Sequence, residues 1–180
     1  MKTLFLLRHA KSDWSDGTLS DHARPLNARG RTAAPLIAAY LKKKSYAPEF
    51  VLCSTATRTV QTLDLIKPVL PASVVVRYED PLYLAEPDKL LDRIRWIESP
   101  FNSAMLIGHN PGMELLAATL SAPGKTAAEK GRRDVMREKY PTAAMAVLRF
   151  QTAEWRDVAR GQGALADFVR PKDLDGVDSD

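Results

Sequence analysis

Short apolar runs alternate along the chain with longer stretches in which apolar positions recur every three or four residues. Thr3–Leu7 is the first run and reads as a buried strand. After a polar loop, Ala33, Leu36, Ile37, Tyr40 and Leu41 share one face of a helix predicted over Ala28–Lys44. Asn27 suits its N-cap, and Lys42, Lys43 and Lys44 suit the negative end of its dipole. Phe50–Cys53 predicts a second strand, leading into an amphipathic helix over Ala56–Leu70 with Ser54 or Thr55 as cap. Val74–Tyr78 and Ala104–Ile107 predict further strands, and Asp88–Glu98 a helix opened by Pro87. Asn110 as N-cap and Pro111 as first helical residue mark a helix running to Leu120.

The stretch Ser121–Pro141 breaks the pattern, being polar, charged and without an apolar stripe. It reads as an excursion that is partly helical, flexible or folded over the site. Ala144–Phe150, Trp155–Val158 and Ala164–Val169 predict the last strands, and the tail DLDGVDSD is expected to fray. Strands alternating with helices predict an α/β fold with a largely parallel sheet. Neither repeat nor linker interrupts the chain, so residues 1–174 are expected to form one domain, with 175–180 as a frayed end.

Composition narrows the function. The 180 residues are 45% hydrophobic and 27% charged, as in a globular protein. No run approaches the roughly 20 apolar residues of a membrane span. The N-terminus starts like a signal peptide, but Leu4–Leu7 falls short of an h-region of about 7–15 residues, and Arg8 ends it. A cytoplasmic protein is the expectation. One cysteine, Cys53, excludes an internal disulfide; its apolar setting predicts a buried structural thiol. A net charge of +4 suits acidic ligands such as phosphate esters, and no nucleic-acid-binding module is recognisable.

Three segments end an apolar strand with unusual polar residues: Leu7-Arg8-His9, Cys53-Ser54-Thr55-Ala56-Thr57-Arg58 and Ile107-Gly108-His109-Asn110. Parallel strands would bring all three ends to one edge, where ligands bind in open α/β sheets. Arg8, His9, Arg58 and His109 would then converge. His22, in a polar loop, reads as ordinary surface.

Phosphoryl transfer asks for this set. The three equatorial oxygens need donors, and a guanidinium fork matches them as an ammonium does not. The helix start after the second strand adds an anion seat. Neutral His9 is placed to attack phosphorus and form a phosphohistidine intermediate, which water then hydrolyses. His109 would donate to a non-bridging oxygen, best when protonated. Arg and His supply the positive charge, so neither metal nor cofactor is expected, and no carboxylate–histidine cluster shows metal-ligand spacing.

These motifs resemble the histidine phosphatase superfamily, whose hallmark is Arg-His at the end of the first strand. Arg8-His9 matches it, Arg58 in STATRTVQT matches the second family arginine, and Gly108-His109-Asn110 matches the second histidine. LFLLRHAKSDW, SDHARPLNARGR, LIGHNPGMELLA, YPTAAMAVLRF and DFVRPKDL resemble SixA-like phosphohistidine phosphatases in particular, from Leu4 to about Leu174. The resemblance implies an α/β three-layer sandwich with a largely parallel central sheet flanked by helices, phosphoglycerate mutase-like and with no large lid subdomain. It implies His9 as the phosphorylated residue and a phosphate pocket of Arg8, Arg58 and His109. Ser15 stands where mutase-like members use an asparagine to help hold phosphate, and Lys11 where they have an acidic residue. A more anionic or macromolecular substrate follows if Lys11 faces it.

One departure concerns the general acid. Many members carry a glutamate where Asp80-Pro81-Leu82-Tyr83-Leu84-Ala85-Glu86 has Leu84. A proton for the leaving group must then come from Glu86, Glu79, Asp13, the substrate or water. Its loss hurts least for a phosphoramidate, whose P–N bond is labile. The leading expectation is therefore a protein phosphohistidine phosphatase acting on a phosphorylated protein domain. A small-molecule phosphomonoesterase and a non-catalytic phosphate-recognition module are the alternatives. The basic segment Lys125–Lys139 reads as a solvated face or as a docking surface for an acidic partner domain.

Overall fold

A computed structural model describes residues 1–174; the tail 175–180, expected to fray, lies outside the described residues. Eleven principal elements follow in chain order: β1 (Lys2–Arg8), α1 (Ala28–Lys43), β2 (Phe50–Ser54), α2 (Thr57–Ile66), β3 (Val75–Glu79), α3 (Pro87–Arg95), β4 (Ser103–Gly108), α4 (Gly112–Leu120), α5 (Ala127–Glu138), β5 (Met145–Phe150) and β6 (Ala164–Val169). They form a 6-stranded sheet in the order β3-β2-β4-β1-β5-β6. The β3–β2, β2–β4 and β4–β1 ladders are parallel; β5 runs antiparallel to both β1 and β6.

Side chains on a strand point alternately to opposite faces, and the central strands are continuously apolar through their middles, so each sheet face receives its own core. Phe5, Leu7, Val51, Cys53, Met105 and Ile107 pack against Ile37 and Leu41 of α1 and Leu63 and Ile66 of α2. Leu4, Leu6, Leu52, Leu106 and Leu148 pack against Leu90 and Ile94 of α3 and Leu116 and Leu120 of α4. Passing β1→α1→β2 the chain moves one way across the sheet, and passing β3→α3→β4 it moves back. Right-handed crossovers therefore place α1 and α2 on one face and α3 on the other. The expected three-layer α/β architecture is what forms.

Local chemistry explains most boundaries. Asn27 caps α1 as expected, its side chain accepting from the Gly30 amide at 2.9 Å. Elsewhere the structure corrects the sequence reading. Neither Ser54 nor Thr55 caps α2; Ala56 does so without a side-chain bond, and Thr59 Oγ1 instead donates to Ser54 O at 2.8 Å. Asn110 does not cap α4: the helix starts at Gly112 with Pro111 in the N-cap position. The Asn110 amide turns away, its Nδ2 donating to Glu114 Oε2 at 2.7 Å and to the Tyr140 carbonyl at 3.1 Å.

Trp155–Val158, expected as a strand, opens with a 3₁₀ turn over Trp155–Asp157. The indole is buried, and its Nε1 donates to Phe101 O at 2.7 Å, anchoring the turn. The polar excursion is better ordered than its composition implies. Thr126 and Glu129 close a capping box at the start of the 12-residue α5, and Met136 is buried with Tyr140 just beyond. No helix among the described residues is long and apolar enough to cross a membrane.

Gly30 sits where α1 meets the loop that follows His9. A Cβ there would stand 2.2 Å from the Lys11 carbonyl, and that carbonyl also accepts from the Asn27 amide at 3.0 Å. Gly30→Ala is expected to lower stability by about 1–3 kcal/mol, read from the urea midpoint, because backbone must shift to admit the methyl.

Candidate active site

The register of three adjacent strands assembles the site. Leu7 and Cys53 both pair with Ile107, and Arg8 pairs with Gly108. The next residues along these strands, His9, Ser54 and His109, therefore stand at one carboxyl edge, the crevice position of open α/β sheets. A cavity of about 310 Å³ opens there, with Arg8, His9, Arg58 and His109 in its wall. The two imidazoles lie 5.2 Å apart between ring centroids.

His9 is buried, and its Nδ1 lies 2.7 Å from the Ala10 carbonyl. A carbonyl can only accept, so the proton sits on Nδ1 and the lone pair is on Nε2. The loop carrying this contact is tied down by Thr62 Oγ1, which accepts from the Ala10 amide at 3.0 Å. Burial, followed by the positive charges of Arg58, Arg8 and Arg24, pushes the His9 pKa down to about 4. A neutral nucleophile at neutral pH results.

Arg58 enters from the first turn of α2 and is 3% exposed. Its Nε donates towards His9 Nε2 at 3.4 Å and its Nη2 towards His109 Nδ1 at 3.2 Å. A guanidinium only donates, so His109 Nδ1 accepts, and His109 Nε2 carries the proton given to Ser54 Oγ at 2.8 Å. Burial, then His9 and Arg58, lower the His109 pKa to about 3, so this imidazole is also neutral at pH 7. The first amide of α2, on Thr57, is occupied by the His22 carbonyl at 3.0 Å, so α2 serves the cavity through Arg58.

Several site residues were not singled out from sequence. Asp21 lines the cavity and holds Arg58 twice, through its carbonyl to Nη1 at 2.6 Å and its Oδ2 to Nη2 at 3.0 Å. Its other oxygen pairs with Arg24 at 2.9 Å, and the Tyr83 hydroxyl donates to Oδ2. These partners, Tyr83 foremost, hold the Asp21 carboxyl below its usual range. Arg24 is, with Arg58, a second buried guanidinium in the wall, bonded to Ser12 Oγ and stacked beneath the exposed Trp14. Tyr140 is fully enclosed; its hydroxyl donates to Leu6 O at 2.5 Å, and its carbonyl accepts from Arg8 Nη1 at 2.8 Å. Asp21 and Arg24 lie within the stretch SDHARPLNARGR and Tyr140 opens YPTAAMAVLRF, but no local pattern assigned any of them a role.

Other candidates land elsewhere. Ser15 is exposed, its amide bonded to Asp13 Oδ1 at 2.8 Å, and it does not line the cavity; Ser12 does. Glu79 is committed to Arg93 in a bidentate pair at 2.7 and 2.8 Å, Glu86 is exposed at the start of α3, and Asp13 is absent from the wall. Leu84, where family members carry their acid, does line the cavity, with φ at +48°. His22 is half-buried rather than plain surface: its Nε2 meets Thr55 Oγ1 at 3.0 Å, and its ring packs edge-on against Tyr83. Cys53 is the expected buried thiol, pushed up to about 12 by desolvation. Among the described residues no group of three or more His, Cys, Asp and Glu is disposed to hold a metal ion.

The comparisons with known proteins agree with this geometry. The model of the histidine phosphatase superfamily (branch 1) matches residues 4–81. Protein Rv1276c of Mycobacterium tuberculosis is 38% identical over 166 residues, covering 92% of this chain and 100% of that protein. The structure of SixA from Nakamurella multipartitia, named as a candidate phosphohistidine phosphatase, is 29% identical with a TM-score of 0.80, over 94% of this chain and 96% of that one. The correspondingly named SixA of Agrobacterium tumefaciens is also 29% identical, with a TM-score of 0.74, over 94% and 98%.

Two outcomes follow from the site's electrostatics. His9 and His109 refuse protons in the folded chain that they accept near pH 6.5 when unfolded. The unfolded state therefore binds more protons below pH 6.5, and stability falls as pH drops from there towards 4. Urea midpoints across that range should fall less in a His9→Ala/His109→Ala variant than in the parent. Asp21→Ala removes one of the two restraints from Asp21 on Arg58, and should lower kcat/KM on a small phosphoester by about 10- to 100-fold through misplacement of the guanidinium.

Proposed function

The chain belongs to the histidine phosphatase superfamily and is SixA-like, and on that premise we propose that it removes phosphate from phosphohistidine on a protein domain, with His9 as nucleophile. Its family places it among phosphatases. The finer reading rests on the cavity's acid–base inventory.

In the first step the His9 Nε2 lone pair attacks phosphorus, the new P–N bond forms, and the bond to the substrate's imidazole breaks. In the second, water attacks the phosphorylated His9, releasing inorganic phosphate and restoring the neutral ring. Arg8 and Arg58 hold the equatorial oxygens, where charge spreads in the transition state. The Arg8 Nε has no hydrogen-bond partner, a donor left over for an anion in the adjoining cavity. His109 joins them once its Nδ1 carries a proton. A phosphate dianion nearby favours that state, and the Ser54 hydroxyl, donor or acceptor, can follow the proton's move.

The observation that carries the substrate class is a single one. Asp21 is the one carboxylate in the described wall, and it is ionised and held by Arg58, Arg24 and Tyr83. It has no proton to give a leaving group. An alcohol leaving as alkoxide needs such a proton, a contribution of about 10²–10⁴-fold in rate. Phosphohistidine brings its own, because the ring nitrogen opposite the P–N bond can be protonated, and the ring departs as neutral imidazole. Leu84 at the mouth adds apolar surface where related enzymes place their acid, which fits an imidazole better than a sugar hydroxyl.

Enzyme quenched during turnover should carry one phosphate on His9 by mass spectrometry, and His9→Ala should abolish release. kcat/KM for a phosphohistidine domain should exceed that for alkyl phosphates by about 10²–10⁴-fold. Equal values would move the reading to a small-molecule phosphomonoesterase. Binding without turnover or phosphoenzyme would leave a phosphate-recognition module.

A further inference from the structure

Cations that the phosphoryl chemistry leaves unused gather in one place. A second groove, of about 230 Å³, adjoins the catalytic cavity and shares Lys11 and Thr142 with it. Its lining holds Lys11, Arg29, Lys139, Arg170 and Lys172 and no carboxylate. The loop after β1, the start of α1, the residue after α5 and the turn after β6 each contribute. Arg170 is neutralised by Asp173 at 2.8 Å. The other four are exposed, and among the described residues none has a carboxylate within 4.0 Å.

We infer that this groove docks a run of acidic residues flanking the phosphorylated side chain of a protein substrate. The inference rests on the reading of the neighbouring site as one that takes phosphoryl groups from a protein. Like charges gathered around one groove repel each other, and an anion seated among them relieves that repulsion. The shape of that anion follows from the donors. A single tetrahedral anion is best held by convergent forks and backbone amides, as in the catalytic cavity. Here three of the four unpaired cations are lysines, mobile point charges on separate elements, which suit several carboxylates spaced along a peptide. Pro141, Pro171 and Ala33 line the groove between them and offer apolar contact to a backbone. The lining contains no aromatic ring on which a base would stack, which argues for a polypeptide over a nucleic acid. Lys11 and Thr142, belonging to both cavities, lead from the groove to the phosphoryl seat.

The test uses the whole chain and two series of phosphopeptides, one of phosphohistidine and one of phosphotyrosine, each flanked by Asp, by Ala or by Lys. The readout is the ratio of kcat/KM between Asp- and Lys-flanked peptides within each protein, which cancels general losses of activity. The ratio should be about tenfold or more in the parent. It should fall towards one in Lys139→Glu/Lys172→Glu, and likewise when salt rises from about 0.1 M to about 1 M and the Debye length shrinks to about 3 Å. A ratio near one in the parent, or one that survives the double substitution, overturns the groove. Stronger competition by a single-stranded oligonucleotide than by an acidic peptide of equal charge overturns it as well. If only phosphotyrosine peptides turn over, the phosphohistidine reading fails while the flank ratio still decides the groove. If neither series turns over while p-nitrophenyl phosphate does, both fail.

Discussion

The Arg58 guanidinium is the interaction on which the site depends. It touches both imidazoles and makes both Asp21 contacts, so its position sets how His9, His109 and Asp21 stand relative to one another. Burying a cation is costly unless it is paired and its N–H groups are satisfied. Here the cost is offset by one carboxylate and by two neutral rings that accept. The same charge disfavours protonation of those rings, keeping the His9 lone pair available.

Around this centre, support comes from segments remote in sequence. Tyr140 ties the end of the α5 excursion to β1 through its hydroxyl, while its carbonyl orients Arg8 and the Asn110 amide. Ala143, with φ at +60°, sends its amide to the Arg8 and His9 carbonyls at 3.1 and 3.0 Å. An alanine in the left-handed region costs of order 1–2 kcal/mol, tolerated because the surrounding bonds fix it. The polar stretch that composition marks as an excursion thus ends in a strap holding the nucleophile's strand.

Charge is distributed in two tiers. The buried Arg58 and Arg24 are fixed by bonds at the catalytic cavity; the exposed cations beside them have no carboxylate within 4.0 Å among the described residues and shape a field. A net charge of +4 over 180 residues does not itself imply such a field. Its location on the α1 and α5 side of the mouth makes it relevant to the substrate.

Much of this was legible in the chain. The continuous apolar runs of β1, β2 and β4 and the helical spacing of α1 define the layers, and the strand-end motifs name Arg8, His9, Arg58 and His109, because burial on both sheet faces is written in local composition. The capping box of α5 was readable too, as Thr126 and Glu129, though the charged residues around it masked it. Asp21, Arg24, Tyr83 and Tyr140 were not legible, since polar residues in loops carry no periodicity, and their partners lie 37, 12, 62 and 132 residues away. The cap that Asn-Pro spelled locally was likewise lost to other partners, Glu114 and the Tyr140 carbonyl. The sequence by itself therefore determined the sheet, its edge and the reacting groups, through local hydrophobic pattern. Only the tertiary structure decided how those groups are oriented and charged, because hydrogen-bond direction and desolvation depend on neighbours that folding alone brings together.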